Sequence, residues 1–329
     1  MRLQAEQGVE AGVLIATSDD GARELAEAAS ALPESFHFAG PRASTVALLM
    51  DKRCELGALA NITDSLPPSL VVLPDTKDAV LEHLRFPIIM KPRTQKAADT
   101  LRMKTRVVNT GTELEDFFRQ FADSIDLFVA QEVIPGGDDT VWQCNAVFNA
   151  RYELVSAFTF QKLGMSPPHY GVTTMGRSAR NDDVIDLVRA IGMAIGYVGP
   201  AGFEFKRDTR DGRYRYIEIN PRHGMTNWFD TSCGVNSTLR NYQLALGDQD
   251  QVVPPQPRER VFVDAYSDLF SRLADDREPA GKVLRRYVAL LRESRVPAYW
   301  MWRDPAPGLV AFARNLAKSF ASLARRVHR

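Results

Sequence analysis

Glu204, Glu218 and Asn220 are the residues whose types and spacing promise chemistry in this chain. They fall within residues 201–226, AGFEFKRDTRDGRYRYIEINPRHGMT. Two alternating runs flank a turn carrying Asp211-Gly212, a strong hairpin signal. Alternation sets Phe203 and Phe205 on one face and Glu204 and Lys206 on the other. In the second run Ile217 and Ile219 are predicted to face inward, with Glu218 and Asn220 opposite. A short odd-numbered loop centred near Asp211 places Glu204 directly across from Glu218, and like charges so placed destabilise a sheet. A divalent cation removes that cost, and carboxylate and amide oxygens suit magnesium bound through nucleotide phosphates. Pro221 ends the strand, and the guanidinium fork of Arg222 can lie against a phosphoryl group. The competing reading is a surface hairpin whose glutamates pair with Arg213, Arg215 or Lys206.

Such a face needs a sizeable scaffold. The 329 residues are 45% hydrophobic and 25% charged, an ordinary globular composition with room for two or three lobes. Forty-one basic residues balance forty-one acidic ones, so no net field recruits nucleic acid. Cys54, Cys144 and Cys233 show neither metal spacing nor a disulfide pattern, which suits a reducing cytoplasm. No apolar run reaches the ~20 residues that span a bilayer, and MRLQAEQGVEAG lacks the apolar core of a secretion signal.

Along the chain, GVLIAT and ARELAEAASAL form one β-α unit capped at Ser18 or Asp19. ASTVALLMDKRCELGALA has helical periodicity, with Val46, Leu49 and Leu56 on one stripe. FPIIMKP is an apolar strand ending in Lys91, whose charge must reach water or an anion. MKTRVVNT reads as its paired strand, and GTELEDFFRQF as an amphipathic helix opened by Thr112. LFVAQ is a buried strand leading into EVIPGGD. VWQCNAVFN and ELVSAFTFQKL are further strands, the second ending at Lys162. DDVIDLVRAIGMAI is an amphipathic helix with acids at its start. CGVNSTLRNYQLALGD closes with Ser237 as cap and Gly247 as stop.

Glu-x-Asn-Pro-Arg after a strand holding an earlier acidic residue resembles the metal-binding core of the ATP-grasp superfamily. GFEFKRD followed by YIEINPR is most similar to its ATP-dependent carboxylate–amine ligases, with a match from about Asp51 to Gly247. The resemblance implies an α/β (α+β ATP-grasp) fold, two lobes gripping ATP after a shortened α/β N-terminal segment. By it Lys52 approaches the nucleotide phosphates, although a solvated helix lysine fits the sequence equally. Lys91 spans the α- and β-phosphates. Gln131, Glu132 and Ile134 border the adenine, and Asp138 (or Asp139) accepts from the ribose. Glu204, Glu218 and Asn220 hold one or two Mg²⁺, while Arg222 steadies the carboxylate and the transferring phosphoryl. Lys162 and His169 are candidates to contact substrate or phosphate, His169 reading equally as a plain loop histidine. Residues 223–226 resemble a loop that touches the acceptor. The sequence departs from the family at residues 93–103, where a glycine-rich phosphate loop is usual and no glycine occurs. That lid is expected to hold phosphate through Arg93, Thr94, Lys96 or Arg102, or to close only with substrate.

These readings divide the chain into a partial α/β segment (1–50), a small lobe with linker helices (51–127), a large lobe with the metal site (128–250) and a C-terminal extension (251–329). One β-α unit cannot cover its own edge, so a late start, a missing upstream segment or self-association is expected. The expected activity joins a small carboxylate to an amine through an acyl phosphate, releasing ADP and phosphate. The alternatives are a kinase on the same scaffold and a nucleotide-binding partner protein without turnover. The extension ends in LVAFARNLAKSFASLARRVHR, with Leu309, Phe312, Leu316, Phe320 and Leu323 on one stripe and basic residues opposite. Such a helix suits peripheral contact with an anionic membrane or packing of its stripe on the domain.

Overall fold

A computed structural model describes residues 11–103, 105–249, 253–273, 279–290, 292–301 and 303–314. The chain opens with β1 (Gly12–Val13), α1 (Asp19–Ala28) and β2 (Phe36–His37), the two short strands pairing in parallel. Ser18 caps α1 by accepting from Gly21 N, as its type and position predict. The helical run that follows is broken in two, α2 (Ala43–Met50) and α3 (Lys52–Leu59). Asp51 takes an extended conformation and accepts from Arg53 N, capping α3 inside what the sequence presents as one helix. The break turns the stripe: Val46 and Leu49 are buried, but Glu55 and Leu59 are the buried residues of α3, with Leu56 only half-buried.

Next come β3 (Ser69–Val71), α4 (Lys77–His83), β4 (Ile88–Pro92), α5 (Gln95–Leu101), β5 (Arg106–Val108), α6 (Gly111–Gln120) and β6 (Phe128–Glu132). The strands form one antiparallel sheet in the order β3-β6-β4-β5. Ile88, Met90, Phe128 and Ala130 pack there on Leu114 and Phe117 of α6. Since β6 lies between β3 and β4, the smaller sheet takes in residues assigned from sequence to the large lobe. Thr110, not Thr112, caps α6: its hydroxyl accepts from Glu113 N because Thr110 is the last extended residue before the helix.

The larger sheet contains β7 (Val141–Phe148), β8 (Leu154–Ser166), β9 (Val172–Ser178), β10 (Gly199–Arg207), β11 (Tyr214–Asn220), β12 (Val261–Val263) and β13 (Arg295–Pro297). Its order is β11-β10-β7-β8-β9-β12-β13, antiparallel except for the last pair. α7 (Asp182–Ala194) lays Val184, Val188 and Ile191 on one face, against Phe148, Phe203 and Phe205. α8 (Asn227–Ser232) and α9 (Ser237–Ala245) follow the hairpin. Asn236 caps α9 through Leu239 N, displacing Ser237, whose hydroxyl instead bonds the buried Asp230.

Past the Pro-rich connector the chain rejoins the large sheet. Phe262 of β12 and Val296 of β13 pack with Phe158, Phe160 and Phe229, and α10 (Ala265–Leu273) and α11 (Ala280–Leu290) lie beyond. At least this part of the C-terminal region belongs to the larger core. Of the basic helix, Phe312 stacks near Tyr266 at 5.1 Å, while Leu316, Phe320 and Leu323 lie outside the described residues. No helix among the described residues is long and apolar enough to cross a membrane.

Candidate functional site

The hairpin of β10 and β11 pairs Glu204 directly with Glu218, as the alternation requires. Phe203 and Phe205 are wholly buried on the other face. Burying them contributes about 1.5–3 kcal/mol each, against at most ~1 kcal/mol lost to the facing carboxylates. The apolar face therefore fixes the register and the acidic face follows. One detail differs. The register slips between Glu204 and Phe205, which pairs with Tyr216, so Ile217 is an extra residue on its strand. This bulge buries Tyr216 and turns Ile217, expected in the core, toward the cleft.

That cleft lies between the two sheets and encloses about 410 Å³, within the size range of small-molecule sites. Its walls bring together Lys52, Lys91, Glu204, Glu218 and Asn220, which come from three separated parts of the chain. Lys52 Nζ is 2.8 Å from Glu55 Oε2. Lys91, at the end of β4, donates to Gln131 Oε1 at 2.6 Å, and Gln131 Nε2 donates to Ser69. Gln131 thus aims a lysine with its side chain. Lys162 is 2% exposed and reaches across β7 to Glu204 Oε2 at 2.7 Å.

Electrostatics follow from this crowding. Burial and the Lys52 charge push Lys91 down to about 8. Burial raises Glu204 above the usual carboxylate range, with Glu218 adding to it against Lys162. Burial pushes Glu218 up too, but Lys52, Lys162 and the Asn220 amide outweigh it and hold it low. Lys52 stays above its ordinary value because Glu55 and Glu218 overcome its desolvation. Acids and lysines are interleaved here: Glu204 is paired with Lys162 and Lys52 with Glu55, while Glu218 and Lys91 meet no opposite charge in a direct ion pair among the described residues.

A cation fits the acids. Glu204, Glu218 and Asn220 offer hard oxygens on one face, and Glu204 and Glu218 repel each other until a positive charge intervenes. No cluster of three or more His, Cys, Asp or Glu side chains suited to a metal occurs among the described residues. Two carboxylates and one amide are oxygen donors of the kind Mg²⁺ takes, an ion that usually keeps several waters and completes its shell with phosphates.

No family model matches the chain. A D-aspartate ligase of Enterococcus faecium is 25% identical over 159 residues, 46% of this chain and 38% of that protein. The L-amino acid ligase of Bacillus licheniformis superposes with a TM-score of 0.57 at 18% identity, over 79% of this chain and 63% of its own. The biotin carboxylase domain of Hydrogenobacter thermophilus 2-oxoglutarate carboxylase, a dimer in complex with MgADP, ADP and bicarbonate, also gives 0.57, at 14% identity, over 79% and 59%. The fold is ATP-grasp. The chain spans less than two thirds of the length of each of these relatives.

In ATP-grasp terms the smaller and larger sheets are the two lobes, and β6 runs into the hinge. Glu132 and Ile134 are buried there and border the cleft. The Glu132 carboxylate is engaged elsewhere, accepting from Arg85 N at 3.0 Å and Arg210 Nη1 at 3.2 Å. Asp138 stands apart: it lies 2.9 Å from His169 Nδ1 and borders an adjoining cavity of about 500 Å³. Arg222 is at the rim, donating to Asp19 of α1 at 2.8 Å.

Residues 93–103, expected from sequence to form a lid, contain α5. Thr94 is used as its cap, accepting from Ala97 N, and Arg102 closes it in a left-handed conformation. Arg93 is held by Asp51 at 2.7 Å. Two of the four side chains expected to hold phosphate, Arg93 and Thr94, thus have structural duties, and Arg102 serves through its backbone. Sequence reasoning missed Glu55, Tyr216 and Asp19. Glu55 was discoverable, lying one helical turn from Lys52, whereas the Asp19–Arg222 pairing spans 203 positions and leaves no local trace.

Proposed function

We propose that the chain is an ATP-dependent carboxylate–amine ligase. The observation that carries this is the cleft itself, where Lys52 and Lys91 border the same space as the paired carboxylates Glu204 and Glu218. A carboxylate resists attack by an amine, and transfer of the γ-phosphoryl of ATP to its oxygen overcomes this, giving an acyl phosphate and ADP. The amine nitrogen then bonds to the acyl carbon, phosphate leaves with the C–O bond pair, and the nitrogen sheds a proton. Positioning and charge stabilisation are the protein's tasks. Lys52 and Lys91 neutralise phosphate oxygens, and Arg222, released from Asp19, steadies the carboxylate. Lys162 pairs with Glu204 at 2.7 Å and offsets part of the cost of its burial. Ile134 and the hinge backbone receive the base, with Asp138 at the ribose once it parts from His169. Glu204, Glu218 and Asn220 would hold one or two Mg²⁺, which supplies charge neutralisation between the phosphates.

The names of the D-aspartate and L-amino acid ligases support an amino acid as one substrate. Cytoplasmic ATP and magnesium meet these needs. The test is Mg²⁺-dependent ADP release across pairs of amino acids and small carboxylic acids, with hydroxylamine present in a parallel series. A productive acid is expected to give a hydroxamate in that series. ADP release without hydroxamate would replace the ligase with a kinase, and failure to bind MgADP would remove the nucleotide reading altogether.

A further inference from the structure

We propose that Glu55 is a positioning residue for the nucleotide site, holding the Lys52 ammonium at the cleft wall while the Tyr216 hydroxyl holds Glu55. This rests on the nucleotide reading above and extends it to a residue outside the cleft lining. Glu55 is completely buried in α3, one turn beyond Lys52. Its Oε2 takes the Lys52 ammonium at 2.8 Å, and its Oε1 accepts the hydroxyl of Tyr216, itself 1% exposed. A buried carboxylate is costly unless paired, and an apolar residue would fill this position without that cost. Both oxygens are occupied, and one of their two partners, Lys52, faces the cleft.

The direction of the pull matters. Lys52 is in the field of Glu55 on its own helix, Glu218 and Glu204 on the strands opposite, and Lys91 on β4. Without Glu55, its long flexible side chain is drawn by Glu218 and Glu204 and repelled by Lys91. It would then compete for the oxygens a cation needs. Glu55 keeps the ammonium back from those acids, aimed at where phosphate arrives. Tyr216 reaches Glu55 because the bulge at Ile217 puts its ring on the core side of β11. A slip in the metal strand is thus linked to the aim of a lysine on a helix 160 residues earlier.

The test is a double-mutant cycle read by MgADP binding to the full chain, using wild type, Glu55→Gln, Lys52→Ala and the double variant. Glu55→Gln is expected to weaken binding roughly tenfold and to raise the Mg²⁺ concentration needed for half-saturation. In the Lys52→Ala background the same change is expected to have no further effect. Equal weakening in both backgrounds would mean that Glu55 acts through the fold, and unchanged affinity in Glu55→Gln would mean that it does nothing; either overturns the proposal. Should Glu55→Gln not fold, Tyr216→Phe takes its place in the cycle, with an expected loss of about threefold. A wild-type chain that does not bind MgADP would take away the premise, and the proposal with it.

Discussion

Two clusters of buried charge can be compared directly. Between α10 and β8, Arg272 donates to Asp268 at 2.7 Å and to Leu163 O at 2.6 Å, while Thr174 and Tyr287 fill the remaining sites on Asp268. Every charge there meets its opposite, and Gly164 leaves the room, since a Cβ on it would stand 2.2 Å from Asp268. In the cleft the pairing is partial: Lys162 meets Glu204 at 2.7 Å and Lys52 meets Glu55 at 2.8 Å, but like charges also face each other. Glu204 faces Glu218, and Lys91 is depressed by its neighbour Lys52. The first cluster is closed and belongs to the architecture. The second is left incomplete on its own, and a polyanion with its cation would complete it.

The largest expected effect breaks the second cluster. Glu218→Gln should weaken MgADP binding by on the order of a hundredfold and abolish ADP release, because it removes a proposed metal ligand. Its unfolding midpoint should change little, since the relieved repulsion from Glu204 and the relieved burial of charge are offset by the lost attraction to Lys52 and Lys162; a marked fall would give Glu218 a structural role. Asp268→Ala tests the first cluster and should do the converse. It removes the carboxylate that pairs with the buried Arg272, and breaking such a pair costs about 3–5 kcal/mol. Chemical denaturation would read that loss, with MgADP affinity at low temperature unchanged within about twofold. The smallest effect concerns pH. Lys91 loses its proton near pH 8, so the free protein is best charged for phosphate below that value. MgADP affinity should fall as pH rises through 8, by up to about tenfold per unit, and Lys91→Met should be weaker at pH 7 but flat over the same range. A wild-type profile that stays flat to pH 10 would remove Lys91 from the phosphates.

The acidic hairpin is legible in sequence because period-two alternation, a turn signal and a terminating proline all agree. Its bulge is not, since one extra residue in a strand changes no composition and only the packing of Tyr216 selects it. The break at Asp51 is hidden for a related reason: the run is rich in helix formers, and a single side-chain cap overrides them when Arg93 is there to hold Asp51. Lys91 could be recognised from its own segment, being a charge at the end of an apolar strand. The Glu55–Lys52 pair follows from helical spacing, but the Tyr216 partner of Glu55 and the Asp19 partner of Arg222 lie 161 and 203 positions away, which no local pattern encodes. The strands β12 and β13 are three residues each, too short to establish a period, and their place in the large sheet comes from Phe262 and Val296 filling its core.

The Asp51–Arg93 contact has a mechanical consequence. α2 and α3 are anchored on the larger sheet through Leu49 and Leu59, yet Arg93 belongs to the end of β4, and its carbonyl also accepts Lys52 N–H at 2.9 Å. This is an ionic latch between two plates, about one fifth exposed on each side and so open to the surrounding electrolyte. Prising the plates apart strains that latch, and added salt loosens it, so the cohesion of the two plates carries an ionic-strength dependence at the edge of the cleft that Arg93 lines.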